Sequence, residues 1–190
     1  MKPKTARFLL TRIHGFTMMD ETMPPEPKLI MLGVPHSSIW DFVVAWLFAR
    51  AIGGKPRVMI KQEFFFWPLG PILRWCGAVP VEQKTASTTV RSLISLMEDV
   101  PEFHLAMAPE GTRALTRRWK NGYHLIAKET GATVYLGYYD WGRKRISVGE
   151  PFELSDDPQA DMYRIYDHYR PMGIQGYHPE KFAVPDSPKK

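Results

Sequence analysis

The sequence predicts an α/β fold, a mixed and mostly parallel sheet flanked by helices in a single domain, on three observations. A short continuous apolar run at 29–33 marks a strand buried on both faces, and 103–107 also reads as a strand. Between such runs stand segments of helical periodicity, clearest in Val90, Leu93, Ile94, Met97 and Val100. Turn and stop residues, notably Gly53-Gly54 and Gly131, punctuate the alternation of strand and helix.

Taken in order, residues 1–16 predict a short basic amphipathic helix with Phe8, Leu9, Ile13 and Phe16 apolar. Pro24, Pro25 and Pro27 then end regular structure. Residues 1–28 are therefore read as an N-terminal segment and Pro-rich linker, 29–184 as the domain, and 185–190 as a disordered polar tail. Inside the domain the run 29–33 is a strand, and a helix follows the Pro35-His36-Ser37-Ser38 string as far as Ile52. Strands are predicted at 57–60 and 78–81, and a helix begins at Ser87. After the strand at 103–107 come a helix at 122–130 and strands at 133–139 and 145–148, with Gly142 suited to a hairpin. The sequence contains no internal repeat.

Composition limits the function classes. Lysine and arginine exceed aspartate and glutamate 25 to 20, a formal charge of +5 with histidines neutral. That surplus fits an anionic partner, whether phospholipid, CoA or nucleic acid, and chooses none of them. A single cysteine, Cys76, excludes an internal disulfide framework and suggests a reducing compartment. The most apolar stretch, 64–81, holds Pro68, Pro71, Pro80 and Arg74, whereas a spanning helix needs about 20 mainly apolar residues. Phe8-Leu9-Leu10 is followed by Arg12 and His14, too short and too charged for a signal-peptide core. The protein is therefore expected to stay soluble or to bind membranes from the side, with a cytoplasmic, peripherally membrane-associated location. His104, His124, His168 and His178 lack metal-ligand spacing, so no metal is expected.

Two loop strings that follow predicted strands carry chemistry, because α/β folds place their sites there. In the first, Asp41 stands five residues after His36 and in reach of its imidazole. A carboxylate accepting from one ring nitrogen fixes the tautomer and turns the other nitrogen outward as a base. Ser38 and Asp41 also form a Ser-x-x-Asp capping pattern, in which Asp41 serves only the helix N–H groups. The residues alone leave both readings open. The second string is Pro109-Glu110-Gly111-Thr112-Arg113. It offers a tight turn, backbone donors, a hydroxyl and a guanidinium fork suited to phosphate, or else an ordinary turn with a Glu110–Arg113 surface pair.

In this order and separation, the two strings resemble those of the glycerolipid acyltransferase family, which includes lysophosphatidate acyltransferases. That family carries a His-x4-Asp motif and then Phe-Pro-Glu-Gly-Thr-Arg. The resemblance spans about 29–149 and includes Lys61-x-Glu63, Pro68, Gly70, the 77–81 string and the Lys120-Asn-Gly segment. It implies a glycerol-phosphate acyltransferase-like fold, His36 as general base and Asp41 as its orienting carboxylate. It also implies that Glu110, Gly111, Thr112 and Arg113, with Lys61 and Lys120, bind the acceptor phosphate and acyl donor. The implied donor is acyl-CoA or acyl carrier protein and the acceptor a lysophospholipid; no cofactor is needed. Three positions depart from the family. Gln83 stands where an Arg is expected, with Lys84 beside it; Ala108 replaces a bulky apolar residue; and 132–137 lacks the family's late Pro. Lys84 could supply a point charge but not a bidentate fork.

The aromatic cluster from Phe64 to Trp75 suits a headgroup boundary, an acyl-chain pocket or plain core, with Arg57, Lys61 and Arg74 placed to meet lipid phosphates. The first sixteen residues suit an interfacial anchor or a surface helix. Arg117-Arg118-Trp119-Lys120 is read as solvated basic surface, with no nucleic-acid partner expected. A hydrolase on the same His-Asp pair would want a nucleophile, and no Gly-x-Ser-x-Gly elbow occurs. A non-catalytic lipid binder has no need of an oriented base.

Overall fold

In the computed structural model, which describes residues 1–81 and 86–187, the sheet is built outward from strand β2 (Lys28–Val34). Its side chains alternate between two cores: Ile30, Leu32 and Val34 enter one, and Leu29 and Met31 the other. A strand apolar on both faces must be covered on both, and helices supply the cover. β5 (Phe103–Met107) and β6 (Thr133–Asp140) flank β2, each parallel to it. Beyond β5 lie β3 (Pro56–Lys61) and β4 (Ala78–Val81), also parallel. On the other side β7 (Arg145–Ser147) and β8 (Pro151–Phe152) run antiparallel to β6, and β1 (Thr17–Met18) adds to β7. The sheet order is β1-β7-β6-β2-β5-β3-β4, a mixed and mostly parallel sheet as predicted.

One face is covered by α4 (Ala86–Glu98), α5 (Gly122–Thr130) and α6 (Pro158–Tyr169), through Leu93, Met97, Ile126 and Ile165. The other is covered by α1 (Pro3–Phe8) and α2 (Ile39–Ala51). The N-terminal segment differs from expectation here. Ala6 and Leu10 are wholly buried and Phe16 nearly so, packed with Val44, Leu47 and Phe48. Phe8 and Ile13, expected on the apolar side, are exposed. Leu9–Ile13 forms a π-helical turn, and Leu9 packs partly buried against the same core as Leu10 and Phe16. The N-terminal helix thus packs against α2. At the other end, Arg170 donates to the Pro185 carbonyl at 2.8 Å and the Ser187 hydroxyl to Asp167 at 2.9 Å, so 185–187 are tied to the end of α6. Residues 188–190, like Gln83 and Lys84, lie outside the described residues.

Sequence reading passed over α3 (Leu69–Trp75) and α6. In α3, Pro71 falls in the first turn, where its missing N–H costs no helical hydrogen bond. α6 starts at Asp157, whose carboxylate accepts from the N–H groups of Gln159 and Ala160. No helix among the described residues is long and apolar enough to cross a membrane.

Register decides where the site lies. Leu32 pairs with Met107 and Val34 with Tyr138, so β2, β5 and β6 deliver their following loops side by side. The Tyr169 hydroxyl, buried beneath this end, lies 2.9 Å from the Gly137 carbonyl and 3.3 Å from that of Leu32.

Away from that end, wholly buried Asp161 holds α6 against the loop after β8. It accepts from Ser155 N–H and Oγ at 2.8 Å each and from Arg164 at 2.9 Å, and lies 3.2 Å from His124 Nε2. Removing a buried acceptor strands its donors, so Asp161→Ala is predicted to cost about 3 kcal/mol or more in urea unfolding. No change at the β2–β5–β6 loops is expected in that variant.

Candidate active site

The turn after β2 is set by its own sequence. Ser38, in extended backbone, caps α2: its Oγ accepts from Trp40 N–H at 3.3 Å. Asp41, at the third helical position, reaches back so that its Oδ2 accepts from Ser37 N–H at 2.6 Å and Ser38 N–H at 2.7 Å. Its Oδ1 accepts from the Trp141 indole at 2.7 Å. Asp41 is wholly buried. Burial pushes its carboxyl above the ordinary range, against the pull of those donors. Among the described residues no hydrogen bond joins the His36 imidazole to Asp41. Asp41 makes the contacts of the capping pattern, and through them it shapes the backbone that presents His36.

Glu110 comes from the loop after β5 and meets the same turn from below. Its Oε1 accepts from His36 N–H at 2.8 Å, while Oε2 is buried without a partner. Burial pushes this carboxyl up to about 8, so it is mostly protonated at neutral pH. Gly111 has φ +63°, and a Cβ there would meet Lys120 Cδ and Cε at 2.8 Å. The left-handed backbone there favours glycine, and the flexible end of the lysine lies across the space a Cβ would take. Lys120 is itself anchored, its N–H donating to the Pro109 carbonyl at 2.7 Å. Thr112 and Arg113 are exposed, with Thr112 Oγ1 accepting from Ala114 N–H at 3.2 Å.

His36 is half-buried. Burial, and then the positive charge of Arg113, hold its imidazole down to about 4, so it is neutral at physiological pH. A neutral imidazole has a lone pair to take a proton. His36, Asp41, Gly111 and Lys120 line one cavity of about 1430 Å³. From Asp41 the cavity follows Phe42, Ala45, Trp46 and Ala49 along α2, a path of about 12 Å at 1.5 Å per residue. It therefore joins a polar, cationic mouth to a long apolar wall.

The structure brings six of the eight candidate residues to one place: His36, Asp41, Gly111 and Lys120 on the cavity, Glu110 behind His36, and Arg113 within its electrostatic reach. Thr112 sits on the same loop without lining the cavity, and Lys61 pairs instead with exposed Glu63 at 3.5 Å. Sequence reading missed Trp141 and the segment at Tyr177-His178. His178 N–H donates to Ser37 Oγ at 3.1 Å, and the Tyr177 ring stands edge-on to Trp141 at 4.8 Å. These residues lie 100 or more positions from the turn they brace, and no local spacing announces them. Among the described residues no cluster of His, Cys, Asp or Glu could hold a metal ion.

The two shifted groups act on stability in opposite directions. His36 has a folded pKa below its unfolded 6.5, so stability is full above 6.5 and falls as pH drops toward 4. Glu110 has a folded pKa above its unfolded 4.5, so stability is full below 4.5 and falls as pH rises through 8. Thermal unfolding against pH should therefore show Glu110→Gln, which mimics the neutral acid, losing the alkaline decline between about 5 and 8. Trp141→Phe leaves a buried carboxylate oxygen unpaired and should cost about 2 kcal/mol in urea unfolding.

The acyltransferase family model matches residues 16–136. Among solved structures, the chain is similar to the 1-acyl-sn-glycerophosphate (LPA) acyltransferase PlsC from Thermotoga maritima. The TM-score is 0.56 at 15% identity, over 89% of this chain and 80% of that one, a likeness of fold. No curated protein matches the chain. The model match covers more than half of the sequence and includes both loop strings: the chain belongs to the acyltransferase family.

Proposed function

We propose that the protein moves a fatty acyl chain from acyl-CoA or acyl carrier protein onto the hydroxyl of a lysophospholipid, at a membrane surface, with His36 as general base. The observation that carries this reading is a neutral, half-buried His36 opening on a cavity with a cationic mouth and an apolar wall. The acceptor hydroxyl gives its proton to the imidazole as its oxygen bonds to the thioester carbonyl carbon. The tetrahedral intermediate then expels the thiolate, which takes that proton back. A thioester is already activated, so the protein has only to align the partners, move one proton and stabilise the oxyanion.

Lys120 and Arg113 are the cations placed to meet the acceptor's phosphate, and the α2 wall offers apolar surface to an acyl chain. Glu110, through His36 N–H, and Asp41, through the N–H groups of Ser37 and Ser38, act as positioning residues in this scheme. Supporting the membrane-surface reading is a set of exposed apolar side chains that includes Phe8, Ile13, Ile39 and Trp40, the last pair opening the helix next to His36.

The test is thiol release from acyl-CoA, and from acyl carrier protein, across lysophospholipid and other alcohol acceptors. Acceptor-dependent release is expected, and His36→Ala should lower it by roughly 10²–10⁴-fold. Release without acceptor would indicate a thioester hydrolase, and none with either donor a lipid binder. The acidic limb of kcat/KM should fall near 4 and not at 6.5, because the base is neutral above its folded pKa. Lys120→Ala should raise KM for a phosphorylated acceptor and leave KM for the thioester nearly unchanged.

A further inference from the structure

Next to the apolar end of the cavity lies a second pocket of about 220 Å³, lined by Arg50, Lys55, Arg57 and Arg74 together with Trp46 and Trp75. Its cations are poorly neutralised. Arg50 donates only to carbonyls, those of Gly54 at 3.1 Å and Met1 at 2.9 Å, and Lys55 makes a loose exposed pair with Glu102 at 3.4 Å. Among the described residues no carboxylate pairs with Arg57 or Arg74; the latter lies over the Phe65 ring at 5.3 Å. On and just before α3, whose Trp75 lines this pocket, the chain exposes large apolar groups: Trp67 is 85% exposed, Trp75 65% and Ile72 55%. Ile72 and Trp75, three residues apart, share one face of α3.

We propose that this face, α3 with Trp67 and the Arg57/Arg74 pocket, docks the protein on an anionic phospholipid bilayer. Trp67, Ile72 and Trp75 enter the headgroup boundary while the guanidinium groups of Arg57 and Arg74 take lipid phosphates. The pairing of bulky amphipathic rings with unneutralised cations matches the two properties of such a surface, apolar depth and negative potential. Trp46 then links the docked face to the site. It lines both the pocket and the cavity, its indole donates to the Cys76 carbonyl at 2.7 Å, and the Trp75 ring stands 5.5 Å from it. A bilayer bound there meets the cavity at Trp46.

The proposal rests on the membrane-surface part of the proposed function and gives it an address. Co-sedimentation of the full chain with vesicles of phosphatidylcholine alone, and with phosphatidylglycerol added, separates the two. Binding should require the anionic lipid. Arg57→Glu/Arg74→Glu should weaken it by at least about 30-fold and Trp67→Ser by about 5-fold or more. Thiol release to a water-soluble short-chain acceptor should be unchanged in both variants, which also reports that they fold. Wild-type protein that binds neither vesicle removes the membrane-surface reading itself. Wild-type binding that both variants keep retains that reading and overturns this face as its site. Equal binding to neutral and anionic vesicles overturns the role given to Arg57 and Arg74.

Discussion

A single buried carboxylate holds the site together. Asp41 takes N–H groups from Ser37 and Ser38 on one oxygen and the Trp141 indole on the other. One side chain thereby joins the exit of β2, the first turn of α2 and the exit of β6. Glu110 adds the exit of β5 through His36 N–H. Hydrogen bonds to buried carboxyl groups are weakly screened inside the protein. The direction of the His36 side chain follows from a backbone gripped at 36, 37 and 38. Ser37 is gripped a second time, its hydroxyl accepting from His178 N–H.

The same burial sets the electrostatics. Desolvation is the largest influence on His36, Asp41 and Glu110 alike, and for all three it favours the uncharged form. The cations Arg113 and Lys120 stay exposed on the loop after β5, where water supports their charge. The outcome is a neutral base flanked by positive charge. That combination suits a proton acceptor whose substrate carries a phosphate, and it keeps His36 from being saturated with protons near pH 7.

Much of this was legible in the sequence, and the missing parts share a cause. The run 29–33 announced a doubly buried strand because its chemistry is local, as did the periodicity of α4. His36, Asp41 and the Glu110-Gly111-Thr112-Arg113 string were legible because each sits within one turn of its own chain. The Ser-x-x-Asp pattern also foretold that Asp41 bonds to backbone N–H groups at the start of α2. What escaped depends on residues far apart: Trp141 under Asp41, His178 on Ser37, and the burial that makes Glu110 a prop for His36 N–H. The N-terminal helix was found, but of its four expected apolar residues only Leu9 and Phe16 pack on the core, while Phe8 and Ile13 face solvent. Lys61 shows the opposite error: a motif position whose side chain turns to a neighbouring glutamate and not to the cavity.

The central claim is that burial keeps His36 neutral so that it can serve as the base. An NMR titration of the histidine ring signals, with the His36 resonance assigned by its loss in His36→Gln, measures this without a substrate. The account predicts a midpoint near 4. A midpoint at or above 6.5, the ordinary histidine value, would contradict it: the imidazole would then be as free to take a proton as one in water, and the buried turn would have no part in its basicity.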